Sequence, residues 1–208
     1  TWLQAVTLGG ERATLEPLAE AHEAALSEAA GDGELSRLWY TSVPSPQAVG
    51  AEIRRRLGLQ AAATMLPFSV RDNASGELVG MTTYMNVDAA NRRVEIGSTW
   101  YAAGVQRTGL NTDCKAMLLR HAFEQLACIA VEFRTHFMNQ QSRHAIERLG
   151  ARLDGVLRSH LRMPNGSLRD TAVYSITAAE WPAVRANLEW LARRADRVNA
   201  SANEAMTR

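Results

Sequence analysis

Between residues 68 and 98 the hydrophobic period is two, and turn residues interrupt it; no helix satisfies that pattern. Phe68 and Val70 alternate with polar neighbours, and Asn73-Ala74-Ser75-Gly76 reads as a turn. Val79, Met81, Thr83, Met85 and Val87 resume the alternation. A second turn falls around Ala89–Asn91, after which Val94, Ile96 and Ser98 alternate with Arg93, Glu95 and Gly97. Connections this short are hairpins, so the segment predicts an antiparallel meander of three strands. Such a sheet needs other layers of the chain to cover its apolar side.

Those layers are legible on both flanks. Val6 to Leu15 alternates loosely around Gly9–Gly10 and predicts a first hairpin or strand. Pro17 is expected to open a helical stretch in which Leu18, Ala21, Ala25 and Leu26 recur at helical spacing. Residues 31–47 read as a loop, and a second helix is expected from Gln47 to about Ala62. Beyond the meander, Ala116, Leu119, Ala122, Phe123 and Leu126 form an apolar helical stripe, and Ile129, Val131 and Phe133 a strand. Asn139 to Leu149 is a short helix closed by Gly150, where a left-handed conformation suits glycine. Strands at 153–163 and 167–176 flank the turn Pro164-Asn165-Gly166, and a last helix runs through Trp181, Leu188 and Leu191. The order β-α-α-β-β-β-α-β-α-β-β-α predicts an α/β (α+β) chain: one mixed central sheet with helices on both faces. A single domain is expected over residues 1–195, with a polar, alanine-rich disordered tail at 196–208.

Composition narrows the partners. The net charge is +1, so nothing global argues for nucleic acid. No segment has the length of a transmembrane helix, and Thr1 to Gly10 lack a basic region followed by an apolar stretch. The expected location is the cytoplasm. Cys114 and Cys128 lack metal-ligand spacing and read as small buried thiols, while His121, His136 and His144 are too scattered for a metal site. No metal is expected. Lys115 is the only lysine, a compositional skew given no mechanistic weight.

The segment with most chemical content is Gln106-Arg107-Thr108-Gly109-Leu110-Asn111-Thr112, between a strand and a helix. The first amides of a helix have no intrahelical partner and share the positive end of its dipole, which makes an anion site. Gly109 lets backbone approach a ligand, Arg107 supplies charge, and Thr108 and Thr112 supply hydroxyls. A pyrophosphate fits. Neither a nucleotide P-loop nor a dinucleotide fingerprint is present. An ordinary strand-to-helix loop with a capping threonine accounts equally well for the heptapeptide alone.

In its wider context the sequence resembles the GNAT acetyltransferase superfamily, most closely the branch that acetylates ribosomal-protein N-termini and related amines. Gln106, Gly109 and Asn111 occupy the fixed places of the family's Gln/Arg-x-x-Gly-x-Gly/Ala pattern, with Asn111 departing from its last position. Asn139-Gln140-Gln141-Ser142, then Glu147-Arg148-Leu149-Gly150, match a second element. The opening Thr14-Leu15-Glu16-Pro17-Leu18 and a late hairpin, Gly155 to Arg158 and Arg169 to Ser175, match in the family's order over roughly residues 6–182.

The resemblance implies acetyl-CoA as donor and direct attack by an amine, either a protein N-terminus or a small molecule. It implies that the fourth strand of the family's sheet splays from the fifth. Pantetheine then adds like a strand, pairing with backbone near Thr99, Trp100 and Tyr101, where an exposed amide meets the developing oxyanion. Glu95 is the candidate base, directly or through a water; a solvated carboxylate paired with Arg93 or Arg169 is the other reading. Ser142 is the candidate proton donor to the thiolate and equally a first-turn capping serine. Asn139 is expected to hold the pantetheine amide and cap its helix. Arg143 either reaches a CoA phosphate or is a solvated helix arginine. Trp39 and Tyr40 either wall the acceptor pocket or anchor their loop, and His160 is a reserve acid/base facing the acceptor. The branch often forms homodimers. A CoA-binding module without catalysis is the alternative function.

Overall fold

The computed structural model describes residues 2–33, 35–37, 39–40 and 43–206. Eight strands form one sheet in the order β1-β2-β3-β4-β5-β6-β8-β7. The strands are β1 (Leu8–Gly9), β2 (Ala13–Pro17), β3 (Leu66–Asp72), β4 (Leu78–Asp88), β5 (Arg93–Tyr101), β6 (Ala130–His136), β7 (Arg152–Arg162) and β8 (Leu168–Thr177). The helices are α1 (Glu23–Gly31), α2 (Val49–Ala61), α3 (Leu110–Arg120, continued by a π turn over His121–Gln125), α4 (Gln140–Arg148) and α5 (Trp181–Met206). The predicted meander is β3–β4–β5, antiparallel throughout, and β2 extends it. Among the described residues only β5 and β6 pair in parallel, as the intervening helix α3 requires. The sheet is therefore mixed, as the element order predicts.

Helices cover both faces, and β4 shows it residue by residue. Tyr84 donates its hydroxyl to the Leu118 carbonyl of α3, while the adjacent Thr83 accepts from Arg56 of α2 at 2.8 Å. Successive strand residues point to opposite faces, so α3 and α2 lie on opposite sides. The core follows the same alternation: Leu15, Phe68, Tyr84, Ile96, Val131, Phe133 and Tyr174 are all buried.

The expected helix start at Pro17 is a correction. Pro17 is the last residue of β2, opposite Phe68, and α1 begins only at Glu23. A proline at a strand end gives up no ladder bond that matters, and its ring suits extended backbone. Ile129 lies one residue before β6 and is exposed, so the inward set of that strand is Val131, Phe133 and Thr135. The last helix, α5, carries helical backbone to Met206. Among the described residues no helix is long and apolar enough to cross a membrane.

Candidate active site

The sheet opens in its middle. β5 and β6 pair only at Arg93–Ala130, Val94–Val131 and Glu95–Glu132. Beyond that point β5 runs on to Tyr101 and β6 to His136, each with a partner strand on its outer side only among the described residues. Two unpaired backbone edges thus face a wedge, the arrangement into which an extended ligand adds as a strand. A β-bulge shapes one edge: Met81 pairs Trp100 but Thr83 pairs Gly97, and Ser98 has φ 45°. The bulge changes which side of the strand Thr99, Trp100 and Tyr101 face. Trp100 and Tyr101 are buried, and the indole N–H of Trp100 has no acceptor among the described residues. The Tyr101 hydroxyl is likewise buried without a hydrogen-bond partner among the described residues.

At the end of β5 the chain turns into α3 through the predicted anion loop. Arg107 and Gly109 both adopt positive φ, 63° and 93°. Gly109 is the N-cap of α3, so its left-handed backbone aims the following amides outward. Leu110 N–H reaches the Thr108 hydroxyl at 3.4 Å, and Thr108 donates to Val105 at 2.7 Å, so Thr108 is spent on the loop itself. Gln106 likewise ties the loop to the strand, donating to the Tyr101 carbonyl at 3.1 Å. The Thr112 hydroxyl accepts from Arg148 at 3.0 Å. Asn111 keeps a buried side-chain oxygen without a donor among the described residues. Arg12, which the sequence reading missed, lies over Gly109: a β-carbon there would stand 3.4 Å from its Nε. It arrives from the β1–β2 turn because Asp113 accepts the amides of Arg12 and Ala13, at 2.8 and 3.1 Å. No local signal marks a contact made across a hundred residues.

On the α2 side of the wedge, Glu95 is buried, not solvated. Asn86 donates to it at 2.6 Å and Arg134 lies 3.5 Å away. Burial raises its carboxyl pKa, while Asn86 and Arg134 act in the opposite sense. Neither expected partner pairs with it: Arg93 is bound to Glu132 at 2.6 Å, and Arg169 acts on Glu95 only through space. Asn86 reaches Glu95 because its φ of 47° lies in the irregular end of β4, which the strand pattern concealed.

The far edge ends in His136, Asn139 and Ser142. Asn139 caps α4, accepting the Ser142 amide at 3.0 Å. The Ser142 hydroxyl takes no part in the cap and has no partner among the described residues, which separates the two roles expected of it. His136 is buried; its Nδ1 accepts the Met138 amide at 3.1 Å, so the neutral ring carries its proton on Nε2, which has no partner among the described residues. Burial, and then Arg169, lower its pKa. Trp39 stands edge-on to His136 at 5.1 Å and to Tyr40 at 5.6 Å, and is 49% exposed. The Trp39 ring thus packs on the last residue of β6, with Tyr40 against its other side. His160 is exposed on the edge strand β7, bound to Thr171 at 3.1 Å; the structure does not bring it against Glu95. Arg143 donates to Tyr174 at 2.8 Å and stacks on Phe137.

A strand splayed from its parallel neighbour, with an anion loop at the next helix, is the plan of an acyl-CoA binding fold. Residues 12–152 match the acetyltransferase (GNAT) domain family, and the chain belongs to that family. YdaF of Bacillus subtilis (strain 168), provisionally named a ribosomal N-acetyltransferase, is 35% identical over 106 residues, which span 51% of this chain and 57% of that protein. A GCN5-related N-acetyltransferase from Brucella melitensis superposes with a TM-score of 0.80 at 27% identity, covering 91% of this chain and 86% of the other. RimJ of Mycobacterium smegmatis, solved in complex with CoA-disulfide, does so with a TM-score of 0.76 at 25% identity, covering 91% and 96%.

Proposed function

We propose that this chain transfers the acetyl group of acetyl-CoA to a primary amine, with a protein N-terminus as the acceptor. The observation that carries the donor is the wedge between β5 and β6, closed at one end by the α3 N-terminus. In this reading the loop amides and Arg107 hold the pyrophosphate, with Arg12 beside them. The free edge near Thr99, Trp100 and Tyr101 pairs with pantetheine. Acetyl-CoA supplies the activated acyl group. Glu95, whose raised pKa makes it a stronger base, takes the amine's proton, and the uncommitted Ser142 hydroxyl returns one to the departing sulfur.

The acceptor reading draws on the names of YdaF and RimJ and on the local charge. Glu132 is already neutralised by Arg93 and Arg134, at 2.6 and 2.9 Å, so among the described residues it is not a free carboxylate for a polyamine. The reading places the enzyme in the cytoplasm, with residues 1–195 acting as one unit and two copies as a dimer. An acceptor array reading CoA release, with peptides of free N-terminus beside small amines, tests it. Release with peptides supports the proposal, and release with small amines alone reassigns the acceptor. Acetyl-CoA binding without release on any amine leaves a non-catalytic CoA-binding module.

A further inference from the structure

We infer that Lys115, acting through Thr99, holds the β5 bulge and supplies the positive charge that polarises the thioester carbonyl there. This rests on the proposed donor site. Lys115 is buried on α3, and its ammonium donates to Thr99 Oγ1 at 2.7 Å, with Thr82 Oγ1 at 3.5 Å. An ammonium has no acceptor capacity, so the proton of Thr99 goes to Thr82 Oγ1 at 2.8 Å or the Gly97 carbonyl at 3.3 Å.

A second buried cation grips the same bulge from the other face. Arg56 of α2 donates to the Ser98 carbonyl at 3.0 Å and to Thr83 at 2.8 Å. The bulge, with Ser98 in a left-handed conformation that costs energy, is thus clamped between two helices. The two cations differ in one respect. Arg56 is neutralised by Glu52 at 2.7 Å, whereas Lys115 forms no ion pair with a described carboxylate. Burying an unpaired ammonium is costly, and this one is spent beside the backbone at which negative charge would develop during acyl transfer. In a low-dielectric site a fixed charge so placed favours that charge more strongly than in water. Lys115 does not touch the ligand in this scheme; it is a positioning residue.

The charge is also titratable. Burial lowers the ammonium pKa to about 8, while Cys114 from its own helix and Glu95 from β5 oppose the shift through space. Cys114, pushed up to about 12, and Tyr84 and Tyr101, whose pKa values burial raises, stay neutral across that range. Lys115 is therefore the group among these that changes charge there.

The test is the carbonyl resonance of [1-13C]acetyl-CoA bound to the full chain. In the wild type it should lie downfield of free acetyl-CoA near neutral pH and move back as pH rises from about 7 to about 9.5. Lys115→Met should remove about half or more of the displacement and all of that pH dependence, with acetyl-CoA affinity held within about twofold. Thr99→Val, which keeps the lysine but removes its acceptor, should reproduce the loss and decides the question if Lys115→Met does not fold. A wild-type displacement kept in both variants, or a pH dependence that survives in Lys115→Met, overturns the inference while leaving the donor site standing. Absence of acetyl-CoA binding by the wild type overturns the donor site and this inference with it.

Discussion

Lys115→Met should make the protein more stable at neutral pH, and less so as pH rises. A lysine held at about 8 instead of its ordinary 10.5 differs by about 2.5 pH units, worth about 3 kcal/mol at 1.36 kcal/mol each. For a depressed pKa, the unfolded chain binds the extra proton between about pH 8 and 10.5, so wild-type stability rises with pH across that window. It is lowest below pH 8, where folding keeps a buried charge. Methionine removes the charge and fills nearly the same volume. The threonines it abandons stay hydrogen-bonded to each other at 2.8 Å, so no buried hydroxyl is orphaned. Glu95 loses a distant positive neighbour, which takes back part of the gain. The upper bound of about 3 kcal/mol corresponds to a melting temperature about 6–12 °C higher at pH 7 for a chain of this size. Thermal melts of both proteins at pH 7 and pH 10 test the reasoning. A variant no more stable than wild type at pH 7, or a gain of equal size at pH 10, refutes it.

Glu95→Gln should lower kcat by about 10²-fold or more, while raising stability at neutral pH. A raised carboxyl pKa means wild-type stability is fully present below pH 4.5 and falls as pH rises through the folded value, a fall that glutamine escapes; turnover and melting measured on one preparation check both halves. Ser142→Ala should slow turnover without changing the melting temperature, because the cap on α4 belongs to Asn139, whereas Asn139→Ala should cost about 1 kcal/mol. A melting loss in the serine variant would return Ser142 to a structural role. Gly109→Asp should abolish acetyl-CoA binding in titration calorimetry; because φ there is 93°, Gly109→Ala is the control for strain, expected to cost stability by about 1–3 kcal/mol but to retain binding.

The period-two run from Phe68 to Ser98 and the turns at Asn73–Gly76 and Ala89–Asn91 determined the meander without reference to anything distant, because a strand's alternation and a hairpin's turn are local properties. The helix stripe after Asn111, the loop with Gly109 at the helix start, and Asn139 as cap were legible for the same reason. Other features are written in no single segment. The wedge exists because β5 and β6 share three pairs and then diverge. The bulge at Ser98 shifts which side of β5 each later residue faces, which strict alternation does not anticipate. Arg12 over Gly109, Asn86 on Glu95, the unpartnered Nε2 of His136 and the ammonium of Lys115 against Thr99 depend on burial and on contacts between separate elements. Whether a charge is an ordinary solvated lysine or an unpaired buried ammonium depends on how much water and which dipoles surround it, and only the packed sheet and helices decide that.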